Sequence, residues 1–183
     1  MLFAPRSSFT LALRVRSPQG ESIGEVFSFL SGLYFRGKLA YARHFARPGS
    51  AIRIITCDRG LVTPDLPVTL PELMSMSRGA IDPEHPPYRA PLERDAEHLA
   101  QQLDRNADVV LLGSIATGKY ADVLHGAFGS RLKFPESFVG RGDMSRGGLL
   151  LRAVREDREL SYLPLVGAVR RGKRPARLVP ERG

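Results

Sequence analysis

The chain carries one cysteine, Cys57, in 183 residues. A lone thiol excludes an intrachain disulfide and a cysteine-rich metal site. No apolar run approaches the ~18–20 residues that a membrane-spanning helix needs, so no membrane partner is expected. The first twenty residues lack a secretory signal's unbroken apolar core, because Arg6, Arg14 and Arg16 interrupt it. They also lack any acid, a trait shared with organelle transit peptides, but the composition as a whole reads as cytoplasmic. His44, His85, His98 and His125 show neither HxH nor HExxH spacing, so no metal motif is present. A G-x-S-x-G elbow for a serine nucleophile is missing too, and so is any internal repeat. No cofactor is expected, and a Mg²⁺ requirement has no ligand set to support it.

The formal net charge is +8, which invites a nucleic-acid partner. Its distribution narrows that reading. Residues 1–20 hold three arginines and no acid, residues 170–183 hold six basic residues against Glu181, and the residues between carry 18 charges of each sign. The middle is balanced and the ends are basic. A basic tail adds non-specific, salt-sensitive attraction to nucleic acid, or is a solvated end. The length suits one domain with a sizeable core, and 43% apolar with 25% charged residues is ordinary for a globular protein. The expected organisation is a single domain over 1–169 and a basic tail over 170–183.

Along the chain, Thr10–Arg16 alternates apolar and basic residues and reads as a half-buried edge strand. Ile23–Phe45 has helical spacing, in two pieces because Gly32 and Gly37 each weaken a helix interior by ~1 kcal/mol. Within it Tyr34, Arg36, Lys38, Tyr41, Arg43 and His44 form either an aromatic-and-cation surface or an ordinary amphipathic helix. Ala51–Cys57 reads as a parallel-sheet strand ending at Asp58-Arg59-Gly60. Seven prolines between Pro64 and Pro91 predict a long loop with a short helix near Pro71–Arg78. Leu92–Asn106 has one apolar stripe and is the clearest helix. Val109–Leu112, a helix ending near Phe128, and Arg131–Phe134 complete a βαβ pattern. Gly140–Gly148 reads as a glycine-rich loop. Leu149–Val154 and Leu160–Leu165 read as a hairpin, with a helix as the alternative for the first. The expected fold is α/β, a mostly parallel three-layer sheet with a C-terminal β-hairpin.

The strongest chemical signal is Gly113-Ser114-Ile115-Ala116-Thr117-Gly118-Lys119-Tyr120. Its spacing matches a phosphate-binding loop, in which backbone N–H groups and a helix N-terminus meet an anion and a lysine supplies charge. Tyr120 stands where the Mg²⁺-ligating Ser or Thr belongs, which argues against an NTPase. Gly113, Ser114, Thr117, Gly118 and Lys119 are the candidate phosphate contacts on this side. Arg141, Ser145 and Arg146 are the candidates on the facing loop, since guanidinium forks match phosphate. Asp143, Asp58 and Lys119 are the candidate acid–base groups, and Tyr34 and Tyr120 the candidate base-stacking rings. Cys57, at the end of an apolar run, reads as packed rather than nucleophilic.

Three ordered segments carry a resemblance: RGLVTPDLPVT, VVLLGSIATGKY and FVGRGDMSRGGLLL, together spanning about residues 51–151. They resemble bacterial YaaA-like and related α/β proteins, in which a strand leads to a GL-x-P-D turn, a later strand to a Gly…Tyr helix start, and a Gly-rich segment follows. The resemblance implies an α/β domain linked to nucleotides or nucleic acid and supplies no reaction. The resulting expectation is an enzyme on a nucleotide, nucleoside or nucleic-acid substrate. A non-catalytic nucleic-acid-binding module using the basic ends, or a structural protein presenting the proline-rich segment, are the alternatives.

Overall fold

A computed structural model describes residues 2–176 apart from Pro5, Pro48, Ser50, Thr117 and Arg174. Helices and short strands are interspersed along the chain, and helix predominates. The first element is α1 (Thr10–Arg16), a helix where alternation predicted a strand. Ala12 and Val15 are its buried residues, three apart on one face. Arg16 fixes the incoming chain by donating to the carbonyls of Ala4 (2.6 Å), Ser7 (2.8 Å) and Ala12 (2.9 Å). A buried contact and a tether thus outweigh a weak two-residue period.

The strand β1 (Glu21–Ser22) leads into α2 (Ile23–Leu30), and Ser22 caps its start by accepting from the Glu25 N–H. Helix α3 (Gly32–Phe45) follows. The expected break falls at Gly32, whose φ of +61° suits glycine alone. Gly37 stays inside α3, for a reason given below.

The strands β2 (Ile54–Ile55) and β3 (Leu61–Val62) form an antiparallel hairpin. This corrects the expected parallel strand. Thr56 accounts for it: its N–H and Oγ1 both bond the Gly60 carbonyl, at 2.9 and 3.1 Å, closing a tight turn. Gly60, with φ +65°, lets that turn sit against the Pro91 carbonyl, and Leu61 donates to Asp95 at 3.0 Å. The proline-rich stretch holds the expected short helix and, besides it, a strand. It contains β4 (Pro67–Val68), which pairs antiparallel with β1, and α4 (Leu70–Met76), held by a Thr69–Glu72 capping box. Pro86 and Pro87 open α5 (Pro86–Gln102), where a missing N–H is harmless.

The βαβ pattern is present. Strand β5 (Val109–Val110) runs parallel to β6 (Leu132–Pro135), and α6 (Ala121–Phe128) connects them. Only this pair is parallel among the described strands, so the sheets are three small ones rather than a three-layer parallel sheet. The glycine-rich loop and the run after it become α7 (Asp143–Arg155). Arg146, Gly147, Leu150 and Ala153 are buried along it at helical spacing, and Leu, Ala and Arg favour helix. The expected hairpin is therefore replaced: β7 (Tyr162–Pro164) pairs antiparallel with β6.

Three apolar clusters hold these elements. One joins α5, α6 and β6 through Tyr88, Leu92, Leu124, Phe128 and Phe134. A second joins α1, α2 and α4 through Val15, Ile23, Val26 and Leu73. The third lies between α3 and α7, where Tyr41, Phe138, Leu150 and Ala153 pack.

Candidate functional site

The seam between α3 and α7 is built on two glycines. A Cβ on Gly37 would lie 2.8 Å from the Gly147 carbonyl oxygen, and one on Gly147 would lie 2.8 Å from the Tyr34 Cα. With neither present the two backbones approach closely, and the side chains one turn away converge. Tyr34 and Lys38, at i and i+4 on α3, lie close enough to Asp143 and Arg146 at the start of α7 for their charges to act on one another.

Tyr34 donates its phenol to the Leu112 carbonyl at 3.2 Å, tying α3 to the 112–120 turn. Burial pushes its pKa well up. The Lys38 ammonium lies 4.0 Å above the centre of the Tyr34 ring. Burial lowers the Lys38 pKa from 10.5 to about 8; Asp143 opposes that shift and Arg146 adds to it. Lys38 forms no ion pair among the described residues, and the aromatic face is its principal contact.

Arg146 is buried to 6% exposure. Its Nε and Nη2 donate to the Phe138 carbonyl at 3.4 and 3.3 Å, and its Nη1 stands 3.4 Å from the Asp143 carboxylate. The guanidinium also lies 5.5 Å over the Phe138 ring. Asp143 is two-thirds exposed, so the pair joins a buried cation to a surface acid. Two cations and one carboxylate thus share the seam with the Tyr34 phenol.

The phosphate-loop geometry resolves differently from its spacing. The Tyr120 ring lies where a Gly113 Cβ would stand, with Cε2 2.7 Å from that position. Its hydroxyl accepts the Ser114 N–H at 2.6 Å, and the Ala116 N–H turns to the Ser114 Oγ at 3.4 Å. Gly113 therefore makes room for Tyr120, and two N–H groups of the turn bond within it. Gly118, with φ +57°, lies against the Asp122 carboxylate, which pairs with Arg170 at 2.6 Å. Thr117 lies outside the described residues.

The candidates therefore separate. Tyr34, Tyr120, Asp143 and Arg146 act electrostatically on one another and form one cluster with Gly113 and Ser114. The Tyr34 ring carries Lys38 on one face, and the Tyr120 ring is occupied with its own turn, so neither is an unencumbered stacking platform. Arg141 is held by the Ser137 carbonyl (3.0 Å) and Ser145 Oγ (3.1 Å), which locks both members of that expected pair. The Lys119 side chain is exposed, and its carbonyl accepts from the Tyr88 hydroxyl at 3.2 Å. Asp58 sits in the β2–β3 turn beside Arg59 and Cys57, not at a parallel sheet's edge. Lys38 emerges as the residue the motifs did not select. Its signal was the i, i+4 spacing from Tyr34, which becomes distinctive only when α7 adds Arg146.

Among the described residues no group of three His, Cys, Asp or Glu side chains is placed to hold a metal ion. No helix there is long and apolar enough to cross a membrane. A cavity of about 590 Å³ is lined by residues of α1, β1, α2 and α3 that include Arg14, Glu21, Phe29 and Arg36, and by none of Tyr34, Lys38, Asp143 and Arg146. Comparison with known protein families, curated proteins and solved structures found no match.

Proposed function

We propose that the protein is an enzyme acting on a nucleotide or nucleic-acid substrate, which it holds by an anionic group at the α3–α7 seam. The observation that carries this reading is the convergence of Lys38 and Arg146 beside Tyr34 where, among the described residues, Asp143 is the one acid that acts on their charge. A surplus of positive charge in a partly desolvated place favours an anion more strongly than the same charges in water. The first turn of α7 adds its free N–H groups, since the N-cap, Gly142, has no capping side chain.

Lys38 supplies the chemistry. A lysine held near pH 8 changes protonation close to neutrality, as an acid–base or nucleophilic group must. Among the described residues the amine has no ion-pair partner, which leaves it available for a substrate. Asp143 is the second proton-transfer group, and Arg146 orients. The nucleotide class rests on the resemblance of the 51–151 segments and on the aromatic and cationic character of the seam.

Calorimetric titration with nucleoside mono-, di- and triphosphates and a short single-stranded oligonucleotide tests this reading. At least one ligand binds the wild type, binds Lys38→Met about tenfold more weakly, and binds Lys119→Ala unchanged. Failure of all four ligands, or equal binding by Lys38→Met, overturns it.

A further inference from the structure

The chain makes an unusual choice at position 38. Of its 27 cationic side chains 23 are arginine, and the four lysines are Lys38, Lys119, Lys133 and Lys173. Lys133 is paired with Asp108 at 2.7 Å, and Lys119 and Lys173 are exposed. Lys38 alone among them lies on a ring face inside a cluster of titratable groups. Arginine would serve cation–π contact and anion binding there as well or better. What lysine adds is a lone pair on a primary amine, because a guanidinium stays protonated at any working pH.

We propose that Lys38 is a covalent nucleophile, and that its amine condenses with the carbonyl of an aldehyde or ketone whose anionic group is held by Arg146. This rests on the reading of the seam as an anion-binding active site and names the substrate class within it. The cluster provides each part. The Tyr34 ring and the close α3–α7 crossing shield the amine from water, Arg146 stands at the seam beside the Tyr34 phenol with Nη1 3.4 Å from Asp143, and Asp143 is the carboxyl that moves protons. The neutral amine's lone pair attacks the carbonyl carbon, and the C=O π pair moves to oxygen, which takes a proton. Nitrogen then expels that oxygen, protonated a second time, as water. A C=N bond forms, both amine protons leave with the oxygen, and no oxidant or reductant is needed. The lowered basicity of Lys38 leaves a useful fraction neutral at physiological pH.

Pyridoxal 5′-phosphate is a suitable probe, with pyridoxal as its counterpart lacking the phosphate. Each is incubated with the full chain near neutral pH and trapped with borohydride, and the four lysines are mapped by peptide mass. Lys38 is labelled about tenfold faster than the exposed Lys119 and Lys173, as a lower pKa and positioning require, and pyridoxal labels it more slowly than the phosphorylated aldehyde. Labelling at Lys38 no faster than at Lys119 and Lys173 overturns the nucleophile. Equal rates for the two aldehydes overturn the anion assignment. An oligonucleotide bearing an abasic deoxyribose, trapped in the same way, separates a nucleic-acid sugar from a small phosphorylated aldehyde as the carbonyl source. The calorimetric titration distinguishes the levels: nucleotide binding without Lys38 labelling removes this inference alone, and loss of both removes the anion site as well.

Discussion

Gly37 and Gly147 face each other across the α3–α7 crossing so closely that a methyl group on Gly37 would stand 2.8 Å from the Gly147 carbonyl. Both lie inside helices, where glycine costs about 1 kcal/mol relative to alanine. The close approach offsets that cost, and it sets Lys38 beside Arg146. Gly147→Ala meets backbone atoms of Leu33 and Tyr34 on the other side, none of which can swing away. It is expected to destabilise by about 1–3 kcal/mol, read as a lower urea midpoint. Gly126→Ala in α6, with open space around its Cβ, is expected to gain up to about 1 kcal/mol. If Gly147→Ala were neutral, the crossing would not be as tight as the geometry gives.

Lys38 makes stability depend on pH in a specific window. Its folded pKa, about 8, lies below its ordinary 10.5. Below pH 8 the amine is charged in both folded and unfolded chains, and the desolvation penalty is fully present. Between pH 8 and 10.5 the folded protein has shed a proton that the unfolded chain retains, so this residue's contribution rises with pH. Lys38→Met, which keeps the stem, is expected to stabilise the fold by roughly 2–3 kcal/mol near pH 7, a gain that shrinks through the window. Urea titrations at pH 7 and pH 10 measure the difference, and a gain independent of pH would contradict the assignment.

Tyr120 is expected to be a structural residue of its turn. Tyr120→Phe keeps the ring against Gly113 and removes only the acceptor of the Ser114 N–H, which lies 2.6 Å from the hydroxyl. The predicted cost is about 1–2 kcal/mol. Hydrogen exchange at Ser114 is expected to accelerate while amides in the middle of α6 exchange as before. A phosphate loop open to ligand would show fast exchange at Ser114 already in the wild type.

Cys57 is expected to react slowly. Its thiol donates to the Met76 carbonyl at 3.0 Å, and burial and the neighbouring Asp58 carboxylate both raise its pKa. The thiolate is the reactive form, so iodoacetamide at pH 8 is predicted to modify native Cys57 several-fold more slowly than the urea-unfolded chain. Equal rates would contradict the packed, unreactive thiol that the geometry gives.

The amino-acid order by itself determined much of the local structure. The Ile23–Phe45 helices with their break at Gly32, the helix through Leu92 and Ala96, and the β5–α6–β6 unit follow from apolar spacing and glycine placement, which report local geometry and burial. Tyr34 was legible from the aromatic-and-cation stretch it shares with Lys38, and Asp143 and Arg146 from a carboxylate and guanidinium set in a glycine-rich segment. Tertiary structure decided the rest. Short segments such as Thr10–Arg16 and Leu149–Val154 hold too few periods to separate strand from helix, and only their packing partners resolve them. The Asp58 turn reads alike at the end of a parallel strand or in a hairpin, until Thr56 closes it on Gly60. The spacing of a phosphate loop likewise cannot reveal that Tyr120 folds back on Gly113 and takes an N–H of the turn. Nor can any local pattern pair Gly37 with Gly147, 110 residues apart. That contact brings Lys38 to Arg146, and with it the candidate site.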